Sequence, residues 1–145
     1  NNTIVLLFDQ KWDVQTTTDI SSSDVSSTKE ISTTIGKLQK LKSLDIKNSG
    51  IIGTIPTEVG LLSSSLQLLD LGTNRITGTI PTELGMLTKL TKLVFRQNQL
   101  SGTIPIKILL LQKLFFVSFN ENYNLYGNVP DSVCSDDNTI DIHIT

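Results

Sequence analysis

The sequence is short of the residues that most often carry chemistry, with one cysteine, one histidine, one methionine and one tryptophan in 145 residues. Because Cys134 is alone, no internal disulfide can form, and cysteine usage does not indicate an oxidising compartment. No group of histidine, cysteine and carboxylate residues has the spacing of metal ligands, so neither a metal nor a cofactor is expected. The densest apolar run, Ile108 to Leu111, is far too short to span a bilayer.

Catalytic groups are equally scarce. General acid-base and nucleophilic mechanisms need polar groups that are brought together and oriented by a third group. Ser118 and Asp141 could approach His143 across a sheet, but these residue types are too common for that to indicate a triad. No phosphate-binding loop or dinucleotide motif occurs. The sequence therefore predicts a protein that is not an enzyme.

Charge is distributed unevenly along the chain, although the net charge is only −2. Basic residues number 2 against 5 acidic ones in residues 1–36, 10 against 4 in residues 37–113, and none against 5 in residues 114–145. The basic residues are not interleaved with aromatic ones and the whole chain is acidic, so nucleic acid is not an expected partner. The basic middle either keeps the surface soluble or attracts an acidic ligand.

The dominant feature is a block that recurs four times in register, L-x-x-L-x-L-x-x-N-x-L-x-G-x-I-P. The repeats begin at Leu41, Leu66, Leu90 and Leu114, the last with one inserted residue. The nearly constant interval between these leucines is typical of leucine-rich repeats, in which each repeat forms one coil of a solenoid.

Each block contains two alternating apolar residues, as expected of a short strand with one side in the core. These pairs are Leu44/Ile46, Leu69/Leu71, Leu93/Phe95 and Val117/Phe119. Neighbouring coils should pair the strands in a parallel sheet. Asn74, Asn98 and Asn122 follow where the chain turns away, and their amides can satisfy backbone groups that would otherwise be buried unpaired. Ser49 takes that place in the first coil.

Two segments carry a family resemblance: G-T-I-P-T-E-V-G from Gly53 to Gly60 and G-T-I-P-T-E-L-G from Gly78 to Gly85. They resemble the plant-type leucine-rich repeat over roughly residues 31 to 133. The resemblance implies a right-handed α/β solenoid with a parallel sheet on the concave face and short second strands, 3-10 helices or loops on the other sides. It also implies an extracellular or cell-surface module, a receptor ectodomain or secreted inhibitor, that binds proteins, peptides or cell-wall polysaccharides. It does not name a ligand.

The ends depart from the pattern. Residues 31–38 align with Ile80 to Leu87, so residues 31–40 are interpreted as half of a degenerate coil that begins the solenoid of residues 31–145. Residues 1–30 are a cap over the open end, with Trp12 as packing anchor, or a linker; a glycosylation sequon stands at Asn1. A partial strand is predicted over residues 139–145. Cys134, at the position of Gly60 in its coil, is either a buried thiol or pairs with a cysteine outside this chain.

The candidate ligand-binding residues alternate with the core positions of the strands. Polar side chains there need no explanation, whereas Leu68, Val94 and Phe116 do, because apolar neighbours on a surface often mark a binding site. Phe116 is the expected anchor, with Lys92 and Arg96 beside it for an acidic protein or peptide, or an acidic polysaccharide. The alternative is that a terminal segment covers this patch. The full set is Asp45, Lys47, Leu68, Asp70, Lys92, Val94, Arg96, Phe116, Ser118 and Asn120.

Two other functions stay open. The chain could be a structural section of a longer cell-surface or adhesion protein with inert faces. It could also bind ice, because threonines recur at the same place in successive coils and stacked coils about 4.8 Å apart would align them in a ladder. The ladder residues are Thr54, Thr79 and Thr103, with Thr57 and Thr82 as a second file.

Overall fold

The computed structural model describes residues 4–8, 10–21, 29–127 and 141–143, and the side chains of residues 4–6 and 141–143 lie outside the description. The sequon at Asn1, the serine-rich residues 22–28 and Cys134 also lie outside it. The strands are β1 (Ile4–Leu7), β2 (Gln10–Asp13), β3 (Asp19–Ser21), β4 (Ser43–Asp45), β5 (Leu68–Asp70), β6 (Thr77–Thr79), β7 (Lys92–Val94), β8 (Gln99–Thr103), β9 (Phe116–Ser118), β10 (Asn124–Tyr126) and β11 (Asp141–His143).

Six strands form one parallel sheet, in the order β11-β9-β7-β5-β4-β3. The central residues of β4, β5, β7 and β9 are register partners, and all of them are fully buried: Leu44, Leu69, Leu93 and Val117. Each coil contributes one strand to this sheet. The apolar side of each strand faces the same core as the apolar sides of the neighbouring strands. The predicted parallel sheet and its core positions are confirmed.

Short helices return the chain on the opposite side of the core. They are the 3-10 helices Thr33–Lys37, Thr57–Leu62 and Thr82–Met86, and the one-turn α-helix α1, Ile106–Leu109. Successive helices contact one another. Gly60 allows this close approach, because a Cβ there would lie 2.6 Å from the carbonyl oxygen of Glu83 in the next coil. In α1 the buried Leu109 takes the place of that glycine.

Asparagines tie each coil to the one before it. Asn98 is buried, donates from Nδ2 to the carbonyl oxygens of Leu71 (2.9 Å) and Phe95 (3.1 Å), and accepts at Oδ1 from the N–H of Ile76 (3.0 Å). Asn74 and Asn122 repeat this pattern. One amide thus satisfies three buried backbone groups in two coils, as the sequence predicted. Ser49 in the first coil does not bridge coils with its side chain, and its N–H instead donates to Asn74 Oδ1 at 3.0 Å.

A second, three-stranded parallel sheet runs along the side of the solenoid in the order β10-β8-β6. β6 contains Gly78 and β8 contains Gly102, two glycines of the repeat. Gly78 has φ +79°, a region that L side chains rarely adopt, and a Cβ there would lie 3.0 Å from Thr54 Cγ2. The glycine is therefore required both by the backbone angle and by the preceding coil.

The N-terminal segment contains a hairpin and the first rung of the large sheet. β1 and β2 pair antiparallel, Leu7 and Phe8 are buried, and Trp12 Nε1 donates to the carbonyl oxygen of Leu7 at 3.1 Å. The hairpin contacts the first 3-10 helix. β3 then pairs parallel with β4, and its buried Ile20 is the partner of Leu44. The sheet thus begins within residues 1–30, a strand that the sequence analysis did not assign.

At the other end, β11 pairs parallel with β9, and Ile142 is the register partner of Val117. These two positions are separated by one period of the repeat, as the sequence indicated. The other residues of the strand predicted over residues 139–145 lie outside the described part of the chain.

Candidate functional site

The outward residues of the large sheet fall on shared rungs. Leu68, Lys92 and Phe116 are register partners at the start of β5, β7 and β9. Asp70, Val94 and Ser118 are partners at the end of the same strands. Because the strands are hydrogen-bonded to one another, register partners on neighbouring strands lie one strand spacing apart, about 4.8 Å. The site is thus built on a rigid element.

Eight of the ten predicted ligand-binding residues line one depression of about 390 Å³ on this sheet. Asp45 and Leu68 lie outside its lining. The lining residues are Lys47, Asp70, Lys92, Val94, Arg96, Phe116, Ser118 and Asn120. A depression of this size accommodates one or a few side chains of a partner.

Phe116 and Lys92 act as a pair. The Lys92 Nζ lies 5.4 Å from the centroid of the Phe116 ring, within the range of a cation-π contact. Phe116 is half-buried, so its ring is held against the sheet while part of its surface faces the depression. A partner would therefore meet an apolar ring and a positive charge at one place.

The residues in the middle of the depression are less exposed to solvent than the sequence predicted. Val94 is only 4% exposed, and Asp70 and Ser118 are also buried. The reason lies in Gly72, which has no side chain: a Cβ there would lie 3.3 Å from Arg96 Cγ and 3.4 Å from Val94 Cγ1. The aliphatic stem of Arg96 thus occupies this space beside Val94. The expectation that Val94 is exposed is wrong, whereas Leu68 and Phe116 are half-buried.

Polar groups at the bottom of the depression are tied down locally. Asp70 Oδ1 accepts from the N–H of Gly72 at 3.0 Å, and Ser118 Oγ donates to Asn120 Oδ1 at 2.5 Å. His143 is the register partner of Ser118 on β11, and Asp141 is that of Phe116. The Ser118 hydroxyl thus donates to an amide oxygen, which is not a base.

At the edge of the depression, Lys47 Nζ lies 3.1 Å from Asp45 Oδ2. The hydrogen bond to Asp45 and then the negative charges of Asp45 and Asp70 raise the pKa of Lys47 above its ordinary value. The other oxygen of Asp45 is buried without a hydrogen-bond partner among the described residues. Lys47 therefore remains charged at neutral pH, and it partly neutralises the two aspartates.

The net charge of the depression is positive. Lys47, Lys92 and Arg96 line it together with a single carboxylate, that of Asp70. Arg96 is exposed and makes no ion pair within the described part of the chain. The described residues contain no group of three or more histidine, cysteine, aspartate or glutamate side chains placed to hold a metal. Nor do they include a helix of the length and apolar character needed to cross a bilayer.

Comparisons with known proteins agree with this architecture. A family model described as Leucine Rich Repeat matches residues 65–87. The chain is 28% identical to the ectodomain of the receptor kinase SOBIR1 from Arabidopsis thaliana, with a TM-score of 0.74, over 86% of this chain and 66% of that one. It is 39% identical to the plant peptide hormone receptor RGFR1, solved in complex with RGF2, with a TM-score of 0.70 over 77% of this chain and 17% of that receptor. The chain is a plant-type leucine-rich repeat protein.

This leucine-rich repeat chain spans 66% of the SOBIR1 ectodomain and a far smaller share of the RGFR1 chain. A search of curated protein sequences gives no match. A plant ice-binding protein is also similar in structure, with 28% identity and a TM-score of 0.67 over 78% of this chain and 36% of that one. The threonine surface of this repeat protein is therefore a second candidate site.

The sequence-equivalent threonines are not rung partners in the second sheet. Thr54 pairs with Thr77, and Thr79 pairs with Ser101. Gly78 lies against Thr54, and Gly102 lies against Thr79, so equivalent threonines of these coils are displaced along the strand. A shift of two residues along the strand places the Cα atoms of equivalent threonines about 8 Å apart, instead of the strand spacing of about 4.8 Å. The expectation of a straight ladder of Thr54, Thr79 and Thr103 is wrong.

The threonines of the second file, Thr57 and Thr82, form hydrogen bonds with the glutamate that follows each of them. Thr57 Oγ1 donates to Glu58 Oε2 at 3.2 Å, and Thr82 Oγ1 donates to Glu83 Oε2 at 3.3 Å. Together with Thr54 and Thr79, these threonines line a groove of about 540 Å³, so the surface is not flat.

One further feature escaped the sequence analysis. Three large apolar side chains are exposed at equivalent places of successive coils: Leu61 and Met86 in the 3-10 helices, and Leu110 directly after α1. The repeat period that revealed the core could also have revealed this file, because it fixes the face on which each position lies.

Proposed function

We propose that this leucine-rich repeat protein recognises a peptide or protein segment on the large sheet, by binding and without catalysis, outside the cell. The observation that carries the proposal is the single depression in which Phe116, Lys92 and Arg96 meet on a rigid sheet. Repeat proteins commonly bind on such preformed surfaces, because little ordering entropy is lost on binding.

The chemistry of the depression favours an acidic segment with one apolar side chain. The half-buried Phe116 supplies apolar surface, and three cations line the depression together with one buried carboxylate. Charge of one sign steers an oppositely charged partner and fixes its register. RGFR1, to which this chain is similar, was solved with RGF2, which supports a peptide as the ligand class. Acidic polysaccharide, which the sequence left open, has no support among the similar structures.

The proposal is tested with peptides selected against the whole chain from a displayed library, followed by synthetic peptides in calorimetry. The Phe116→Asp variant should weaken binding by about thirtyfold or more, because a central aromatic anchor contributes about 2 kcal/mol. The matched control is Phe115→Asp, since Phe115 precedes it in sequence, is 61% exposed and does not line the depression.

Two outcomes would contradict the proposal. Selection that yields no peptide above background would favour an inert section of a longer surface protein. Equal loss in the Phe116 and Phe115 variants, with unchanged circular dichroism, would place recognition elsewhere. Ice binding ranks lower, because equivalent threonines of the second sheet are offset by two residues from coil to coil and are not register partners.

A further inference from the structure

The three cations that line the depression on the large sheet differ in what they contact. Lys47 Nζ lies 3.1 Å from Asp45 Oδ2, and Lys92 Nζ lies 5.4 Å from the centroid of the Phe116 ring. Arg96 is exposed, and its guanidinium forms no hydrogen bond or ion pair within the part of the chain that the structure describes. Of the three cations, Arg96 is therefore the one whose N–H donors are all open to a ligand.

The side-chain stem of Arg96 lies in space that Gly72 leaves open. A Cβ at Gly72 would lie 3.3 Å from Arg96 Cγ. It would also lie 3.4 Å from Val94 Cγ1 and 3.2 Å from Asp70 Oδ1. The two carbon–carbon distances are below the optimum of roughly 3.5–4.0 Å. Any side chain at position 72 would therefore press on the Arg96 stem and move its guanidinium.

Glycine at this place is a property of one coil. The equivalent residue of the other three coils is Lys47, Arg96 or Asn120. The backbone does not require glycine there, because Gly72 is not among the glycines with positive φ. The atoms nearest to its Cβ position all belong to side chains, whereas at Gly60 the backbone of the next coil is nearest. The missing side chain of Gly72 thus provides room for neighbouring side chains.

The charges of Lys47 and Arg96 lie on the two sides of Gly72. The N–H groups of the residues that follow Lys47 and Gly72 donate to the carbonyl oxygens of Gly72 and Arg96, each at 2.9 Å. The three residues therefore lie side by side in successive coils. The hydrogen bond to Asp45 raises the pKa of Lys47, and the charge of Arg96 opposes this rise, so the two cations are close enough to repel each other. An anion between them would be attracted by both.

Building on the peptide recognition proposed for the large sheet, we propose that Arg96 binds a carboxylate of that peptide and that Gly72 positions Arg96 for the contact. A planar guanidinium holds a carboxylate through two parallel hydrogen bonds, whereas an ammonium acts as a point charge. Lys47 and Lys92 then add attraction without setting the geometry. The carboxylate is either an aspartate or glutamate side chain of the peptide or its C-terminus, because both present the same pair of oxygens.

The probe is a peptide selected from the displayed library against the whole chain and synthesised with a free C-terminus. Its binding is compared by calorimetry with that of two analogues, one with amides in place of its acidic side chains and one with an amidated C-terminus. Arg96→Gln should weaken the parent peptide about tenfold or more, because charge-assisted hydrogen bonds are lost. It should not weaken the analogue that lacks the contacting carboxylate, which identifies the source of that group. Arg75→Gln is the matched control, because Arg75 is exposed and does not line the depression.

The positioning role of Gly72 is tested in a double-mutant cycle. Gly72→Val should weaken the parent peptide by about threefold or more in the wild type, and should have no further effect in Arg96→Gln. A general loss of structure would instead weaken binding equally in both backgrounds. Gly72→Ala, which adds only the Cβ, should act in the same direction with a smaller effect. Urea unfolding checks that each variant is folded.

Four results would overturn the proposal. One is equal binding of the parent peptide and both analogues by the wild type. Another is a peptide that Phe116→Asp abolishes and Arg96→Gln leaves unchanged, which would keep the proposed function and reject the role of Arg96. The third is an effect of Gly72→Val that persists in Arg96→Gln, which would place its action on Asp70 or on folding. The fourth is a library that yields no peptide, which would refute the proposed function as well.

Discussion

Removal of the Asn98 side chain should destabilise the whole solenoid, although the residue does not line the candidate site. Asn98→Ala deletes two donated hydrogen bonds, to Leu71 and Phe95, and one accepted from Ile76. All three partners are backbone groups, and the amide is buried. Each backbone group left unpaired costs about 1–3 kcal/mol. Allowing for partial relaxation, we expect a loss of roughly 3–5 kcal/mol in the free energy of unfolding.

The assay is urea unfolding followed by circular dichroism, with m-values checked for two-state behaviour. Gln99→Ala is the matched control, because Gln99 is the adjacent residue and is exposed. A loss of this size is a large fraction of the roughly 5–15 kcal/mol of a typical domain, so the variant should be partly unfolded at physiological temperature. A change below about 1 kcal/mol would refute the assignment of the asparagines as cross-links between coils.

Three other predictions follow from local geometry. Gly78→Ala should lower the free energy of unfolding by about 1–2 kcal/mol, because alanine is strained at φ +79°; equal midpoints for variant and wild type in urea would contradict this. The NMR titration of Lys47 should show a pKa above the ordinary value of a lysine, falling toward that value in Asp45→Asn. Because the folded pKa is raised, the small stabilisation from this pair is present below the unfolded pKa and is lost as pH rises through the folded one; an unchanged titration in Asp45→Asn would exclude the pairing. Thermal hysteresis of ice growth should be absent in the wild type and unchanged by Thr79→Lys, whereas activity that this substitution abolishes would restore the ice-binding hypothesis.

The core of the fold could be predicted from sequence because the period determines on which side each residue lies. Leu44, Leu69 and Leu93 recur in register, and only a parallel stack buries all of them at once. The hydrogen bonds of the asparagine amides could be predicted for the same reason. Each asparagine follows the strand of its coil at a fixed interval, where the chain turns. β3 was missed although Ile20 stands one repeat period before Leu44, because the rest of its coil lacks the repeat pattern.

The features that the repeat pattern did not predict depend on contacts between neighbouring coils. Val94 is buried because Gly72 makes room for the stem of Arg96, a relation between two coils that no single block contains. The stagger of the threonines likewise depends on how Gly78 packs against Thr54. The sequence thus predicted which residues share the outward face of the sheet, but not the exposure of each one; that they bind a ligand stays a prediction.

The most direct measurement of peptide recognition on the large sheet is NMR chemical-shift mapping of the labelled chain with a selected peptide. We expect the largest changes at Lys92, Arg96 and Phe116, with little change at Thr79 in the second sheet or at Met86 on the opposite face. Changes confined to the second sheet or to the Met86 face, with none at Phe116, would contradict the proposed site.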